Sequence, residues 1–254
     1  MSVTSREKSA LLPWIAESRA SLGKKAAQQI AAELRLRLGR QSRVRIIFAA
    51  APSQLEMLES LVLEPGVDWT RITAFHMDEY VDLPPEDPRR FALWLRRNLF
   101  DRVPFSAVHL IEPGGDPEIV AAAYAAKLNA APMDIVCCGI GANAHLAFND
   151  PPADFNDPQD VKVVQLDAVC RQQQVDDSCF ATFDEVPTRA ITLTVPRLLA
   201  ADRIFCCVPG SSKKDAVRCA LEGQIAPASP ASALRLHGNC SMYLDADSAA
   251  ALSL

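Results

Sequence analysis

Apolar positions in this chain come as short runs separated by longer stretches in which apolar and polar residues mix. Residues 5–18 and 23–38, rich in Ala, Leu, Lys, Arg, Glu and Gln, predict two opening helices. Beyond them strand-like and helix-like segments alternate. The run 44–50 (VRIIFAA) is apolar apart from Arg45 and predicts a strand, followed by a helical pattern over 54–63. A short strand is expected at 71–75, an amphipathic segment at 89–100, a strand at 108–111 and an Ala-rich helix at 118–128. Residues 134–138 predict a strand that runs into a glycine loop, and 161–166 and 190–195 alternate or branch as strands do. The run 204–208 is wholly apolar, and 213–221 can form a helix. Strands apolar on both faces suit a sheet covered by helices on both sides. The pattern therefore predicts an α/β protein of three layers, α/β/α, built on a mostly parallel, Rossmann-like sheet. The Pro-rich stretches 83–88 and 151–158 read as loops; with no internal repeat, residues 1–254 read as a single domain.

Composition adds bounds. A chain of 254 residues, 49% hydrophobic and 22% charged, can bury a full core and is neither disordered nor fibrous. A net charge of −5 argues against nucleic acid or an anionic membrane as partner, since either wants a basic face. A small anionic ligand needs only a local basic pocket. The eight cysteines include two adjacent pairs, Cys137-Cys138 and Cys206-Cys207, inside apolar runs, where they read as small buried hydrophobes. No C-x-x-C occurs, residues 1–19 mix charges without the apolar stretch of a signal peptide, and no run reaches membrane-spanning length. The expectation is a cytoplasmic protein in a reducing compartment.

Ligands of such sheets bind beyond the carboxyl ends of the strands, so the residues after each strand carry the functional signal. After 71–75 comes His76-Met77-Asp78-Glu79-Tyr80: two adjacent carboxylates that fit either a general base with a neighbour or a helix-capping, solvated loop. After 134–138 comes GIGANAHLAFNDP (139–151). Its glycines, among them Gly141, permit close backbone approach; Asn143 and His145 alternate, and Asp150 is a carboxylate partner for the imidazole. After 204–208 comes Pro209-Gly210-Ser211-Ser212-Lys213, whose N–H groups, hydroxyls and ammonium suit an anion as well as they suit a plain helix cap. Histidines at 76, 109, 145 and 237 show no ligand spacing, so no metal is expected. The near-fingerprint Gly139-Ile140-Gly141-Ala142-Asn143-Ala144 leads into a Pro-containing loop rather than a helix, so no dinucleotide or other cofactor is expected either.

Taken together, FHMDEY at 75–80, GIGANAHLAFNDP at 139–151, CRQQQV at 170–175 and GSSK at 210–213 resemble the glucosamine-6-phosphate deaminase (isomerase) family. The wider fold of that family includes 6-phosphogluconolactonases. The resemblance spans about residues 25 to 245. It implies that Asp78 moves a proton between C2 and C1 of an amino-sugar phosphate. His145, supported by Asp150, would assist ring opening. Asn143 stands where well-known members carry an aspartate and can hydrogen-bond but not exchange a proton. Asp150 stands for a glutamate. Arg171 and Lys213 match phosphate-clamping positions, with Ser211 adding a hydroxyl. The phosphate loop after the first strand reads Ala49-Ala50-Ala51-Pro52-Ser53-Gln54, leaving Ser53 and a helix N-terminus for the anion. The implied reaction converts glucosamine 6-phosphate to fructose 6-phosphate and ammonia, and the family allows monomers, dimers and hexamers. Two alternatives stand beside it. A lactonase would use the histidine without needing Asp78. A sugar-phosphate sensor would carry a DNA-reading helix-turn-helix, for which the opening forty residues leave no room.

Overall fold

The structure, a computed structural model, describes residues 11–112 and 114–253. The chain opens with β1 (Trp14–Ala16), α1 (Arg19–Leu38), β2 (Val44–Phe48) and α2 (Leu55–Val62). Then come β3 (Ile72–His76), β4 (Asp78–Tyr80), α3 (Phe91–Leu95), β5 (Ala107–His109), α4 (Pro117–Asn129) and β6 (Ile135–Cys138). The second half holds β7 (Val161–Gln165), α5 (Ala168–Asp176), β8 (Arg189–Leu193), α6 (Val195–Leu199) and β9 (Arg203–Val208). It closes with α7 (Lys214–Glu222), β10 (Cys240–Asp245) and α8 (Ala246–Ala249).

Seven strands form one sheet in the order β1-β10-β9-β6-β2-β3-β5, every neighbouring pair parallel. Successive side chains on a strand point to opposite faces, so each strand feeds two cores. Ile46 and Phe48 of β2 join α1's Leu22, Ile30 and Leu34 on one side, while Ile47 joins α4's Tyr124 and Leu128 on the other. Cys137 and Cys207 fall on the first side, Cys138 and Cys206 on the second, all four buried as free thiols. The three-layer expectation is met. No helix of the described residues is long and apolar enough to cross a membrane.

The structure departs from the sequence expectation at several points, among them the unannounced strand β10 beside β9. Of the helix expected at 5–18, residues 5–10 lie outside the described residues, and 14–16 are the edge strand β1 paired with β10. An aromatic and a β-branched residue after Pro13 favour extended chain there, and Ser18 then caps α1 in a reciprocal box with Ser21. The strands at 161–166 and 190–195 exist, but as β7 and β8 of a separate three-stranded antiparallel sheet, β4-β8-β7. The amphipathic segment 89–100 is α3 followed by a turn of π-helix over Arg96–Phe100. Met77 alone separates β3 from β4, so the chain leaves the central sheet at the very point where Asp78 begins the second one.

Candidate active site

Segments leaving the carboxyl ends of β2, β3 and β6, together with α5, line an open cleft. Asp78, Gly141, His145 and Ser53 all line it, as do Gln54, Phe91, Gln173, Gln174 and Asp177.

Asp78 starts β4, paired with Thr192 of β8, and is only 6% exposed. Burial first, and the adjacent Glu79 second, push its carboxyl well above the usual carboxylate range. Glu79 plays a different part. Its carboxylate accepts from the backbone N–H groups of Tyr80, Phe91 and Ala92, capping α3, and lies 3.5 Å from the buried Arg90 guanidinium. Burial raises Glu79 to about 7, against the pull of those hydrogen bonds and of Arg90. The MDEY pair thus divides into a cleft-facing acid and a cap that holds Phe91 against the cleft. His76, held neutral by burial with its pKa near 3, accepts the Ile111 N–H at 2.7 Å and is structural.

The loop after β6 is a knot of short-range hydrogen bonds. Gly141 N–H donates to His145 O and Ala144 N–H to Gly141 O, with Ala144 in the left-handed region at φ 67°. The imidazole of His145 folds back over Gly141, where a methyl group would overlap the ring, so only glycine fits. His145 Nδ1 lies 3.2 Å from Asp150 Oδ1, off the N–H axis of the ring. Asn143 Nδ2 donates to Asp150 Oδ1 (2.9 Å) and to Asp167 Oδ2 (3.1 Å), while its Oδ1 accepts the His145 N–H. Burial works to raise the pKa of Asp150, but the contacts from His145, Asn143 and the Asp167 N–H outweigh it and lower the carboxyl.

On the anion side the structure sorts the predicted residues. Lys213 is 4% exposed, and its ammonium has no hydrogen-bond partner among the described residues. Burial lowers its pKa against the opposing field of Asp177, a cleft-lining carboxylate. An unpaired buried ammonium is a candidate anion site, but Lys213 itself is not among the residues that line the cleft. Ser53 sits at the cleft in the 3-10 turn Pro52–Gln54. Arg171 is not brought to it: its guanidinium donates to Phe183 O and Val186 O and stacks on the Phe183 ring at 4.0 Å. Ser211 is exposed in the turn that carries Lys213 and does not line the cleft.

Comparison with known proteins decides the family. Residues 17–242 match the family described as glucosamine-6-phosphate isomerases/6-phosphogluconolactonase. A glucosamine-6-phosphate deaminase of Bacillus thuringiensis (strain Al Hakam) is 35% identical over 191 residues, 74% of this chain and 70% of the relative. The chain belongs to this family. A monomeric glucosamine-6-phosphate deaminase of the NagB superfamily superposes with a TM-score of 0.87 at 26% identity, covering 94% of this chain and 99% of the other. The 6-phosphogluconolactonase of Trypanosoma brucei shares the fold, with a TM-score of 0.77 at 19% identity over 96% of this chain and all of the other.

Within this family member, sequence reasoning missed several site residues. Gln54 is fully buried in the cleft wall; its Nε2 donates to Cys207 O, Gly139 leaves the room it occupies, and its Oε1 has no partner. Gln173 accepts the Ala142 N–H at 2.7 Å and donates to Asp177, tying α5 to the glycine loop. The QQQ run carried this signal, since residues two apart on a helix face opposite ways: Gln173 meets the cleft and Arg171 the far side. The fold also gathers His145, Asp150 and Cys170 donor atoms within 4.8 Å of one another, a metal-type set that their spacing along the chain hides. Their chemistry is already committed: Asp150 to its hydrogen bonds, and Cys170 to a thiol whose pKa burial pushes up.

Proposed function

We propose that this protein is a deaminating isomerase that turns glucosamine 6-phosphate and water into fructose 6-phosphate and ammonia. The observation that carries the proposal is a cleft lined by a buried carboxyl of raised pKa, Asp78, and by His145, whose Nδ1 lies 3.2 Å from Asp150, with the buried ammonium of Lys213 in the turn after β9 at the same carboxyl edge of the sheet. An aldose-to-ketose step needs such a base, a carboxylate whose surroundings raise its proton affinity. The phosphate sits on Lys213 and Ser53, with Ser211 of the Lys213 turn adding its hydroxyl. His145, held by Asp150 and Asn143, passes a proton to the ring oxygen as the sugar opens. Asp78 takes the C2 proton and returns it to C1 through an enolamine. Water adds to the resulting C2 imine, and the C–N bond breaks to release ammonia. Neither a metal nor a redox group enters these steps. Arg171 keeps its phosphate role only if its guanidinium leaves the carbonyls of 183 and 186. A cytoplasmic setting and self-association belong to the same proposal and rest on the resemblance to the family.

Lactone hydrolysis moves no carbon-bound proton and has no use for a buried base at Asp78, so the site favours deamination. The test is ammonia release from glucosamine 6-phosphate, with galactosamine 6-phosphate and 6-phosphogluconolactone in parallel. Ammonia from either sugar supports the proposal. Lactone turnover without ammonia refutes it.

A further inference from the structure

Asp167 is the residue before α5 and was singled out by no motif, yet it joins three parts of the site. Its Oδ1 accepts the Cys170 N–H at 2.6 Å and caps α5, the helix that carries Gln173 and Gln174 into the cleft. Its backbone N–H donates to Asp150 Oδ2 at 3.1 Å. Its Oδ2 accepts from Asn143 Nδ2 at 3.1 Å, and the other N–H of the same amide goes to Asp150 Oδ1 at 2.9 Å. The Asn143 amide therefore spends both protons on carboxylates and its oxygen on the His145 N–H. Turned over, it would set its oxygen against two carboxylates and its amide protons against a backbone N–H, so only one orientation is satisfied.

We propose that Asp167 is a positioning residue: through Asn143 it keeps the Asp150 carboxylate 3.2 Å from His145 Nδ1, where its negative charge favours the imidazole tautomer that leaves Nε2 free for proton exchange in the cleft. This rests on the deaminase proposal for its catalytic consequence but not for its structural content. A carboxylate beside Nδ1 holds the proton there. An amide clamped from the far side by a second carboxylate keeps the first from rotating away. The residue also has a structural duty as helix cap, and the test must separate the two.

Asp167→Ser keeps an acceptor for the Cys170 N–H but is too short to reach Asn143, and Asp167→Asn keeps the cap while presenting an NH2 to the Asn143 NH2. The readout is the imidazole nitrogen spectrum of the full-length protein at neutral pH, with His145 assigned by its loss in His145→Gln. The wild type is expected to show one His145 tautomer with the proton on Nδ1, and both Asp167 variants a mixture, with little change in melting temperature. Assayed for ammonia release, Asp167→Ser should lose about tenfold in kcat with KM within about twofold. The double variant with Asn143→Ala should be no worse than Asn143→Ala alone. An unchanged tautomer in folded Asp167 variants, or losses that multiply in the double variant, would overturn the inference. If the wild type releases no ammonia, the deaminase proposal fails, and the tautomer measurement still judges Asp167.

Discussion

Two carboxylates of the site, Asp78 at the head of β4 and lining the cleft and Asp150 behind the cleft-lining His145, are tuned in opposite directions. Asp78 is buried with a second acid, Glu79, as its neighbour in sequence, and its proton affinity rises. Asp150 accepts from the Asn143 amide and the Asp167 N–H and lies beside the His145 ring, and its proton affinity falls although burial opposes this. The chemical type is the same, and the environment assigns the roles. In the proposed reaction the first serves as the base, with its proton affinity raised, and the second as the carboxylate that orients a histidine, with its proton affinity lowered. Deamination of an amino sugar needs one of each.

The contrast predicts opposite contributions to stability. A carboxyl whose pKa is raised on folding contributes stability at low pH that is lost as pH rises through its folded value; one that is lowered contributes at high pH and loses it on acidification. Asp78 and Glu79 belong to the first kind, Asp150 to the second. The largest effect should come from Asp78→Asn. It removes the base, so turnover should fall by at least about a thousandfold. It also spares the fold a buried charge, so the melting temperature at pH 8 should rise above that of the wild type. A fall in both would mean that Asp78 is structural.

Next in size is Lys213→Met. Losing one charge-assisted contact to phosphate should raise KM by about 10- to 100-fold with a smaller change in kcat. Because the ammonium is buried without a partner, the thermal stability of the variant should hold or improve. Unchanged KM would remove Lys213 from the anion site. Gly141→Ala displaces the His145 ring that lies over Gly141 and should cost about tenfold in kcat, with substrate affinity largely kept.

The smallest and sharpest is Glu79→Gln. Removing the charge that helps raise Asp78 should move the acid limb of kcat/KM to lower pH. The fall in stability that Glu79 imposes between pH 4.5 and about 7 should flatten in denaturant titrations of the same variant. An unmoved acid limb would show that Glu79 acts only as the cap of α3.

Much of this was legible in the sequence, for identifiable reasons. Apolar runs such as 135–138 and 204–208 announce strands buried on both faces, and a glycine-rich turn after one of them marks a strand end where backbone must approach closely. Asp78 could be named because it follows a strand end directly, and His145 and Asp150 because they fall in the glycine-led loop after β6. The edge strand β1 was hidden, since three residues at a sheet margin carry too little periodicity, and β10 (CSMYLD) carries only a weak alternation. Partnerships across long sequence distances were not legible at all. Asp167 meets Asn143 across 24 residues and Gln54 meets Cys207 across 153, and no local pattern encodes either. Arg171 shows the converse: a residue of the right chemistry in the right motif whose helical face turns it toward the carbonyls of 183 and 186.

The most direct test of the central claim, that Asp78 carries the proton from C2 to C1, is a single turnover with glucosamine 6-phosphate deuterated at C2. With the wild type, ammonia release should be slower than from the unlabelled sugar. Part of the deuterium should be recovered at C1 of fructose 6-phosphate, since so enclosed a carboxyl exchanges slowly with water. Asp78→Asn, folded and still binding the sugar, should give no product. Ammonia release by that variant at the wild-type rate, with deuterium again at C1, would place the base elsewhere and contradict the account.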